Sequence, residues 1–204
     1  MKLPQEVKNI LDKLSKAGYE AFVVGGCVRD LLLKKEPGDW DITTNARPEE
    51  IQKVFPDNVY ENTFGTVGVK TGSENPVLAI VEITPYRIEG KYTDKRHPDE
   101  IRFADKLEND LSRRDFTINA LALDGNSDII DNFNGQNDLK RKIIRTVGNP
   151  KERFKEDALR LLRAVRFSAV LGFDIEKETL NAIRGNTEWL RAISKERIRD
   201  EFVK

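Results

Sequence analysis

Residues that build disulfides and zinc sites are almost missing from this sequence. Its 204 residues contain one cysteine, Cys27, and one histidine, His97. A single cysteine cannot close an internal disulfide, which is typical of proteins kept in a reducing compartment, so we expect a cytoplasmic location. Zinc sites are built mainly from cysteine and histidine ligands, and two such residues are too few for us to expect one.

Long hydrophobic runs are missing as well. No apolar stretch approaches the roughly 18 residues of a membrane span, and the N-terminus shows no signal-peptide pattern, so we expect no membrane association. The 35 basic and 35 acidic side chains balance to a net charge of +0, which argues against a uniformly basic surface but allows local basic patches. Nothing in the sequence indicates a protein partner.

The residues that indicate a function are concentrated between Val23 and Thr44, in the stretch VVGGCVRDLLLKKEPGDWDITT. Its pattern predicts a strand, a turn at Gly25 and Gly26, a short helix and a second strand. Backbone N–H groups at such a helix start suit a phosphate, and Arg29 on the first helical turn can add charge-assisted hydrogen bonds to the same anion. We therefore expect these three residues to bind phosphate.

The second strand of this stretch carries two carboxylates, Asp39 and Asp41. Residues at i and i+2 of a strand point to the same face, with their Cα atoms roughly 6.5–7 Å apart. Two carboxylates at that spacing can share a divalent ion such as Mg²⁺, which prefers oxygen ligands. The stretch therefore predicts a polyphosphate site with its metal ions beside it.

Several segments together resemble one family. GGCVRD at 25–30 and DWD at 39–41 are similar to the catalytic signature of the tRNA nucleotidyltransferase and bacterial poly(A) polymerase family, within the polymerase-beta-like nucleotidyltransferase superfamily. The resemblance continues, in the family's order, with RRDFTINA at 113–120, DNFNGQNDL at 131–139 and EDALRLLRAVRF at 156–167.

The resemblance implies an α+β fold. A head with a mixed, mostly antiparallel sheet and flanking helices would occupy residues 1–138, and an all-helical neck would occupy residues 139–204. Residues 77–84 are predicted to form a strand, which in this superfamily lies beside the strand of the paired aspartates. Glu82 on that strand would then be a third carboxylate, able to take the proton from an attacking hydroxyl. The alternative is a solvent-facing residue of a half-buried strand.

Two further segments acquire roles from the resemblance. Ser112 is expected to open a helix, in which Arg114 corresponds to the arginine that touches the nucleotide triphosphate in the family. Asp115 would cap this helix or brace Arg114. The segment 88–103 is polar and lacks a period, which predicts a mobile loop of the kind that often serves as a lid. In the family, a loop at this place is associated with addition of the final adenosine.

Residues 151–171 are predicted to form one helix, on which Asp157 and Arg160 lie side by side at i and i+3. A carboxylate next to a guanidinium matches the amino donor and ring-nitrogen acceptor of cytosine and adenine, and it opposes the reversed order of uracil and guanine. In the family, this pair selects the nucleobase. Glu156 would orient Arg160 by an i, i+4 contact. The alternative is that this helix face is exposed to solvent and carries only a local ion pair.

The function implied by the resemblance is template-independent addition of CMP and AMP, from CTP and ATP, to the tRNA 3′ end, with Mg²⁺ and release of pyrophosphate. Arg163 and Arg166, further along the same helix, would reach the phosphates or the RNA end. A poly(A) polymerase and an enzyme that adds only adenosine are alternatives. A non-catalytic nucleotide-binding module on the same fold is an alternative of another class. An antibiotic- or protein-modifying transferase would not account for the arginine helix.

The last segment, KERIRDEFVK at 195–204, resembles the part of the neck with which the family's catalytic half closes. The family's enzymes usually continue into helical domains that hold the tRNA. Because the helical pattern here runs to the last residue, we expect the catalytic part of a longer enzyme, with a naturally short enzyme as the alternative.

Overall fold

The computed structural model describes residues 2–61, 65–90 and 101–204 of the chain. Its helices there are α1 (Gln5–Lys16), α2 (Gly26–Leu32), α3 (Pro48–Val54), α4 (Pro76–Ala79), α5 (Leu107–Ser112), α6 (Gly135–Arg141), α7 (Pro150–Glu156), α8 (Leu159–Leu171), α9 (Lys177–Gly185) and α10 (Lys195–Phe202). Two 3-10 helices are η1 (Thr117–Asn119) and η2 (Thr187–Ala192). The strands are β1 (Ala21–Val24), β2 (Asp41–Thr44), β3 (Asn58–Glu61), β4 (Thr66–Lys70), β5 (Ile80–Pro85), β6 (Arg87–Glu89), β7 (Ile101–Phe103), β8 (Ala122–Leu123), β9 (Ile129–Ile130), β10 (Ile143–Ile144) and β11 (Asp174–Ile175).

Seven strands form one sheet, in the order β3-β4-β5-β2-β1-β8-β9. The pair β2 and β5 is parallel, and the other neighbouring pairs of this sheet are antiparallel. The predicted mixed, mostly antiparallel sheet with flanking helices is therefore confirmed, and with it the α+β class. The central position of β2 means that its carboxylate-bearing end has a strand on either side.

The sheet has one buried and one more open face. Along β5 the buried residues Val81 and Ile83 alternate with Ile80, Glu82 and Thr84, which lie on the opposite face and are more exposed. The buried face belongs to a large hydrophobic core to which α1 contributes a stripe of apolar residues at helical spacing: Val7, Ile10, Leu11 and Leu14. The open face is therefore the one available for a ligand.

The second half of the chain is helical apart from a short ribbon. Strands β10 and β11 pair in parallel over two residues each, and α8 packs against both. Phe154, Ala164 and Phe167 of these helices belong to the same hydrophobic core as Val23 and Ile42 of the sheet. The sheet and the helices are therefore packed as one body. The predicted division between residues 138 and 139 falls inside α6 and stays a prediction.

The strand predicted for residues 77–84 is wrong in its first part, because Pro76–Ala79 form α4 before β5 begins at Ile80. The side chain of Asn75 caps this turn by accepting a hydrogen bond from the Val77 N–H at 3.0 Å. Pro76 fits the first helical position because it has no N–H to leave unpaired.

The helix predicted to open at Ser112 is also wrong, since α5 ends there and only η1 follows. Phe116 has extended backbone angles and bridges to Thr146, and the Thr117 N–H donates to the Arg145 carbonyl at 2.9 Å. Pairing with a distant segment therefore overrides local helix propensity at this point.

The single helix predicted for 151–171 is broken at Asp157, which has extended backbone angles, so that α7 and α8 are separate. The loop predicted for 88–103 begins and ends in the antiparallel pair of β6 and β7. The rest of that prediction falls on residues 91–100, outside the described residues. Within the described ranges, no helix has the length and apolar character needed to cross a bilayer.

Candidate active site

Asp41 and Glu82 face each other across the centre of the sheet. Asp41 is the first residue of β2, and its register partner in the parallel strand β5 is Glu82. Neighbouring strands lie about 4.8 Å apart, and register partners in a parallel pair point to the same face. On the other side, the partner of Asp41 in β1 is Val24, directly before the Gly25 turn. The fold thus brings the predicted third carboxylate beside the aspartate.

The neighbouring carboxylates disturb the ionisation of Asp41. Burial raises the pKa of Asp41, and the nearby carboxylates of Asp39 and Glu82 raise it further, whereas the Arg114 guanidinium lowers it. The result is a pKa of about 6 in place of the ordinary 3.8. Negative charge at this end of the sheet is therefore only partly compensated by the protein, and a divalent cation would neutralise it.

The geometry suits a metal ion that shares its ligands with a substrate. Asp39 lies just before β2 and Asp41 begins it, and both line one cavity together with Glu82. Among the described residues, no three His, Cys, Asp or Glu side chains form a ready-made metal cage. Mg²⁺ is commonly bound by one or two carboxylates together with substrate phosphates and water, which is what this oxygen donor set offers.

Gly25 allows Arg114 to approach the carboxylates. Gly25 has a φ of 84°, which an L side chain rarely adopts, and a Cβ at this position would lie 2.8 Å from Nη1 of Arg114. The same Cβ would lie 3.7 Å from Oδ2 of Asp41. Glycine is therefore required here for two reasons, and the guanidinium, the turn and the carboxylate meet at one point.

The buried carboxylate of Asp110 holds Arg114 in place. Its Nη2 donates to Oδ2 of Asp110 at 3.3 Å, and Arg113 binds Oδ1 of the same residue at 2.7 Å. Burial raises the pKa of Asp110, but the two arginines outweigh it and lower the pKa below its ordinary value. Within the described part of the chain, the buried Nε of Arg114 has no hydrogen-bond partner. The Arg114 guanidinium can therefore donate a further hydrogen bond beside the carboxylates.

Two cavities meet at the carboxylates. One, of about 290 Å³, combines Asp41 and Glu82 with arginines and threonines, including Thr66, Thr84, Arg87, Arg113 and Arg114. The other, of about 500 Å³, contains Asp39, Asp41 and Glu82 with mainly apolar neighbours. Thr66, Thr84 and Arg87 were not predicted as site residues, although the alternation that exposes Glu82 on β5 also exposes Thr84 on the same face.

Arg29 and Gly26 lie together, beside the turn. A Cβ on Gly26 would be 3.6 Å from Nη2 of Arg29. The Arg29 guanidinium binds Asp30 at 2.8 Å, donates to Oδ1 of Asn119 at 2.8 Å, and stacks 5.2 Å from the centre of the Phe167 ring. Its described contacts are thus with α2, η1 and α8, and phosphate binding by Gly26 and Arg29 stays a prediction.

The side chains of Asp157 and Arg160 bind different partners. The carboxylate of Asp157 accepts from the Leu159 N–H at 3.0 Å and from Arg197 at 3.1 Å. Because Asp157 caps α8 instead of lying within a helix, the predicted side-by-side arrangement on one helix face is wrong. Arg160 binds Glu156 at 2.6 Å, so the predicted i, i+4 contact is confirmed.

Arg160 connects the second half of the chain to the arginine-lined cavity. Its Nη2 donates to the Arg113 carbonyl at 3.1 Å, and Arg113 lines that cavity with Arg114. Arg160 is 9% exposed, so it is fixed in a largely enclosed position. Arg160, one of the two residues predicted to read a base, is therefore linked to the carboxylate site through the backbone of Arg113.

Arg163 and Arg166 are engaged by acidic partners. Asp115 accepts from Arg163 at 2.6 Å, and Glu201 on α10 accepts from Arg166 at 2.6 Å. Both guanidinium groups also stack on Phe167, at 5.3 and 4.3 Å from the ring centre. The predicted alternative that Asp115 braces Arg114 is wrong, since Asp115 binds Arg163 and Arg114 binds Asp110.

Two family models match this chain, one over most of its first part and one near its end. The model of the family described as the poly A polymerase head domain matches residues 21–145. A second model, described as the probable RNA and SrmB-binding site of polymerase A, matches residues 172–204. The CCA-adding enzyme of Lactobacillus helveticus is 52% identical over 196 residues, which are 96% of this chain and 48% of that enzyme.

Solved structures agree with the family matches. The crystal structure of the Bacillus stearothermophilus CCA-adding enzyme in complex with CTP superposes with a TM-score of 0.87 and 42% identity, over 99% of this chain and 48% of that one. A tRNA nucleotidyltransferase complexed with a primer tRNA and an incoming ATP analog has a TM-score of 0.76 and 30% identity, over 95% and 54% of the two chains. The chain spans about half the length of the curated relatives that it matches.

Proposed function

Since this chain belongs to the family of the poly A polymerase head domain, we propose that it is the catalytic part of a CCA-adding enzyme. It transfers CMP and AMP from CTP and ATP to the 3′ end of tRNA and releases pyrophosphate. The observation that carries the proposal is the register of Asp41 opposite Glu82, with Arg114 against the Gly25 turn beside them. The similarity to CCA-adding enzymes supports this substrate class.

Asp39 and Asp41 are the proposed ligands of Mg²⁺, which supplies neutralisation of the triphosphate and a lower pKa for the attacking 3′-hydroxyl when it is bound. The family implies a divalent ion, and hard carboxylate oxygens on partly uncompensated charge suit Mg²⁺. Protonation of Asp41 would compete with the cation, so binding weakens as the pH falls below about 6.

The other residues of the carboxylate site orient the triphosphate and the proton. Arg114 presents its guanidinium beside Asp41 and donates to phosphate oxygens, and the missing side chain of Gly25 leaves the space for that approach. Arg29 supports this turn and is proposed to bind phosphate as well. Glu82, opposite Asp41, is placed to take the proton of the attacking hydroxyl.

Nucleobase choice is proposed to rest on Asp157 and Arg160. A carboxylate accepts from the amino group of cytosine or adenine, and a guanidinium donates to the adjacent ring nitrogen. Uracil and guanine present a carbonyl and an N–H in these places, so acceptor meets acceptor and donor meets donor. Both side chains are held in place, by Arg197 and Glu156 respectively, and a fixed template is what such selection needs.

The proposal also includes two further arginines and the division of the chain into two domains. Arg163 and Arg166 are proposed to contact the nucleotide, although Asp115 and Glu201 hold them in this structure. The division into a head at 1–138 and a neck at 139–204 is kept as a proposal, and the match to the head family extends to residue 145.

A primer-extension assay with each nucleotide offered singly tests the function. With tRNA that ends at the discriminator base we expect CMP incorporation, and with tRNA that ends in CC we expect AMP incorporation, each with pyrophosphate release. Repeated AMP addition to any RNA would indicate a poly(A) polymerase, and AMP addition only to tRNA ending in CC would indicate an A-adding enzyme. Absence of pyrophosphate release would favour a nucleotide-binding module.

The double variant Asp39→Ala, Asp41→Ala tests the metal ligands. We expect it to lose incorporation with all nucleotides and to retain the folded circular dichroism spectrum, because both residues lie at the open edge of the core. Normal extension by this variant would refute the assignment of these two residues.

A further inference from the structure

Three guanidinium groups surround one phenyl ring, that of Phe167. The guanidinium carbons of Arg29, Arg163 and Arg166 lie 5.2, 5.3 and 4.3 Å from the ring centre. A cation within about 6 Å of a ring centre is attracted by the negative charge of the ring face. We call these three arginines the arginine cluster, and Phe167 is a contact that all three have in common.

The arginine cluster joins two parts of the chain that are far apart in sequence. Arg29 lies on α2, shortly after the glycine turn, whereas Arg163 and Arg166 lie on α8. Phosphate binding is proposed for Arg29, and contact with the nucleotide is proposed for the two arginines of α8. Phe167 therefore lies where the proposed phosphate-binding turn meets α8.

Each guanidinium of the cluster also has an acidic partner. The ion pairs, at 2.8, 2.6 and 2.6 Å, are Arg29 with Asp30, Arg163 with Asp115, and Arg166 with Glu201. Glu201 also lies 3.9 Å from Nη1 of Arg163, so it links the two arginines of α8 to each other. The three positive charges repel one another. Phe167 attracts all three, and it therefore opposes their separation.

A ring and a carboxylate hold a guanidinium in different ways. The ring attracts the positive charge without using an N–H group, so the N–H groups stay available for oxygen acceptors. Phe167 is 6% exposed, and its ring packs edge-to-face against the fully buried Phe116, with 5.8 Å between the ring centres. The ring is therefore a fixed support for the arginine cluster and is itself largely closed to a ligand.

We infer that Phe167 is a positioning residue, which orients the arginine cluster for the phosphate groups of the nucleoside triphosphate. The inference rests on the proposed function and concerns the phosphate end of the substrate, not the base. Guanidinium groups that are oriented beforehand lose less freedom when they bind phosphate oxygens than unsupported ones do. The alternative is that Phe167 only fills space in the hydrophobic core to which it belongs.

Fluorination of the Phe167 ring separates these two roles. Site-specific replacement by mono-, di- and trifluorophenylalanine withdraws negative charge from the ring face in steps, while the ring keeps nearly the same shape and stays apolar. We expect the Kd for CTP to rise with each fluorine, by about tenfold with the trifluoro ring. The Kd for inorganic tripolyphosphate, which has no base, should rise in parallel. Calorimetric titration measures both constants.

The same replacements at Phe154 are the matched control. Phe154 is a fully buried phenylalanine of α7, and within the part of the chain that the structure describes no lysine or arginine lies over its ring. Fluorination there alters the core without altering the arginine cluster, so the Kd for CTP should stay within about twofold of that of the unchanged chain. Circular dichroism spectra check that every variant is folded.

A Kd for CTP that does not depend on fluorination of Phe167, or that depends on it equally at Phe154, would overturn the inference. A rise for CTP without a rise for tripolyphosphate would overturn it as well, because the ring would then act on the base. A chain that binds tripolyphosphate with the expected dependence but releases no pyrophosphate would refute the proposed function and leave the role of Phe167 in place. A chain that binds neither compound would overturn both.

Discussion

The guanidinium of Arg163 donates two hydrogen bonds, of 2.8 and 2.6 Å, to one carboxylate oxygen of Asp115, which is 48 residues earlier in the chain. The Phe116 N–H and the Asn119 amide donate to the other oxygen of Asp115. Asp115 thereby joins the segment that carries Arg114 to helix α8. A buried carboxylate with four hydrogen bonds is costly to disturb.

Asp115→Asn is expected to lower the free energy of unfolding by on the order of 3 kcal/mol, because Arg163 is left partly buried with only the more distant carboxylate of Glu201, at 3.9 Å, as a charge partner. Urea unfolding monitored by circular dichroism measures the change. Asp200→Asn is the matched control, since its ion pair with Arg199 is exposed and should be worth less than about 1 kcal/mol. Equal losses in the two variants would contradict the buried role.

The contribution of Asp115 should vanish in acid. Burial alone would raise the pKa of Asp115, but Arg163 and the Asn119 amide lower it from 3.8 to about 2. A lowered pKa in the folded state stabilises the fold above the ordinary pKa, and this stabilisation is lost as the pH falls towards the folded pKa. The stability difference between the unchanged chain and Asp115→Asn should therefore shrink from pH 4 to pH 2. A constant difference would show that ionisation is not its cause.

Gly25→Ala and Gly18→Ala form a matched pair. Both glycines have positive φ, 84° and 89°, but only at Gly25 would a Cβ meet Arg114. Each variant should lose about 1 kcal/mol of stability from backbone strain. Only Gly25→Ala should also raise the Kd for CTP, by roughly tenfold or more, because it displaces Arg114. Calorimetric titration with CTP measures the difference, and equal affinities would refute the role of Arg114.

Gly135→Ala is expected to prevent the packing of α6 on η1. A Cβ at Gly135 would overlap the Thr117 carbonyl oxygen, which is backbone and cannot move aside. The loss should reach about 3 kcal/mol or more. Gly125→Ala, with no atom within 4 Å of the added Cβ, should change the melting temperature little. A melting temperature for Gly135→Ala close to that of Gly125→Ala would contradict this packing.

Asp41→Asn should raise stability and abolish activity together. The pKa of Asp41 is raised to about 6, so the ionised form is disfavoured in the folded state, and the fold becomes more stable as the pH falls through that value. In the absence of divalent ions above pH 7, the amide should add on the order of 1–2 kcal/mol to the free energy of unfolding. Thermal unfolding with and without MgCl₂ measures it. If Asp41→Asn were less stable than the unchanged chain, the protein would already compensate the negative charge of Asp41.

The predicted site residues differ in how well the local sequence pattern predicts their positions. Glu82 is expected beside the strand of the paired aspartates because the family resemblance implies that strand order, and the register of Asp41 with Glu82 agrees with it. Thr84 follows from the two-residue period of the same strand but was overlooked. Arg87 is the first residue of β6, and no local pattern in the sequence places it in the cavity.

The predicted continuous helix around Asp157 failed for a non-local reason. Helix propensity and spacing favoured continuity from 151 to 171, and no proline or glycine marks the break. The Asp157 carboxylate instead caps α8 and binds Arg197 on α10, which is 40 residues further along the chain. A contact with such a distant helix cannot be read from a window of neighbouring residues.

By itself, the sequence determined the elements whose character depends on near neighbours: the glycine turn, the alternation of buried and exposed residues along β5 and the amphipathic helix α1. Tertiary structure alone decided which distant charges meet, so that Arg163 binds Asp115 and Arg166 binds Glu201. The physical reason is that periodicity and turn conformation are set within a few residues, whereas an ion pair forms between whichever charges the packed core brings together.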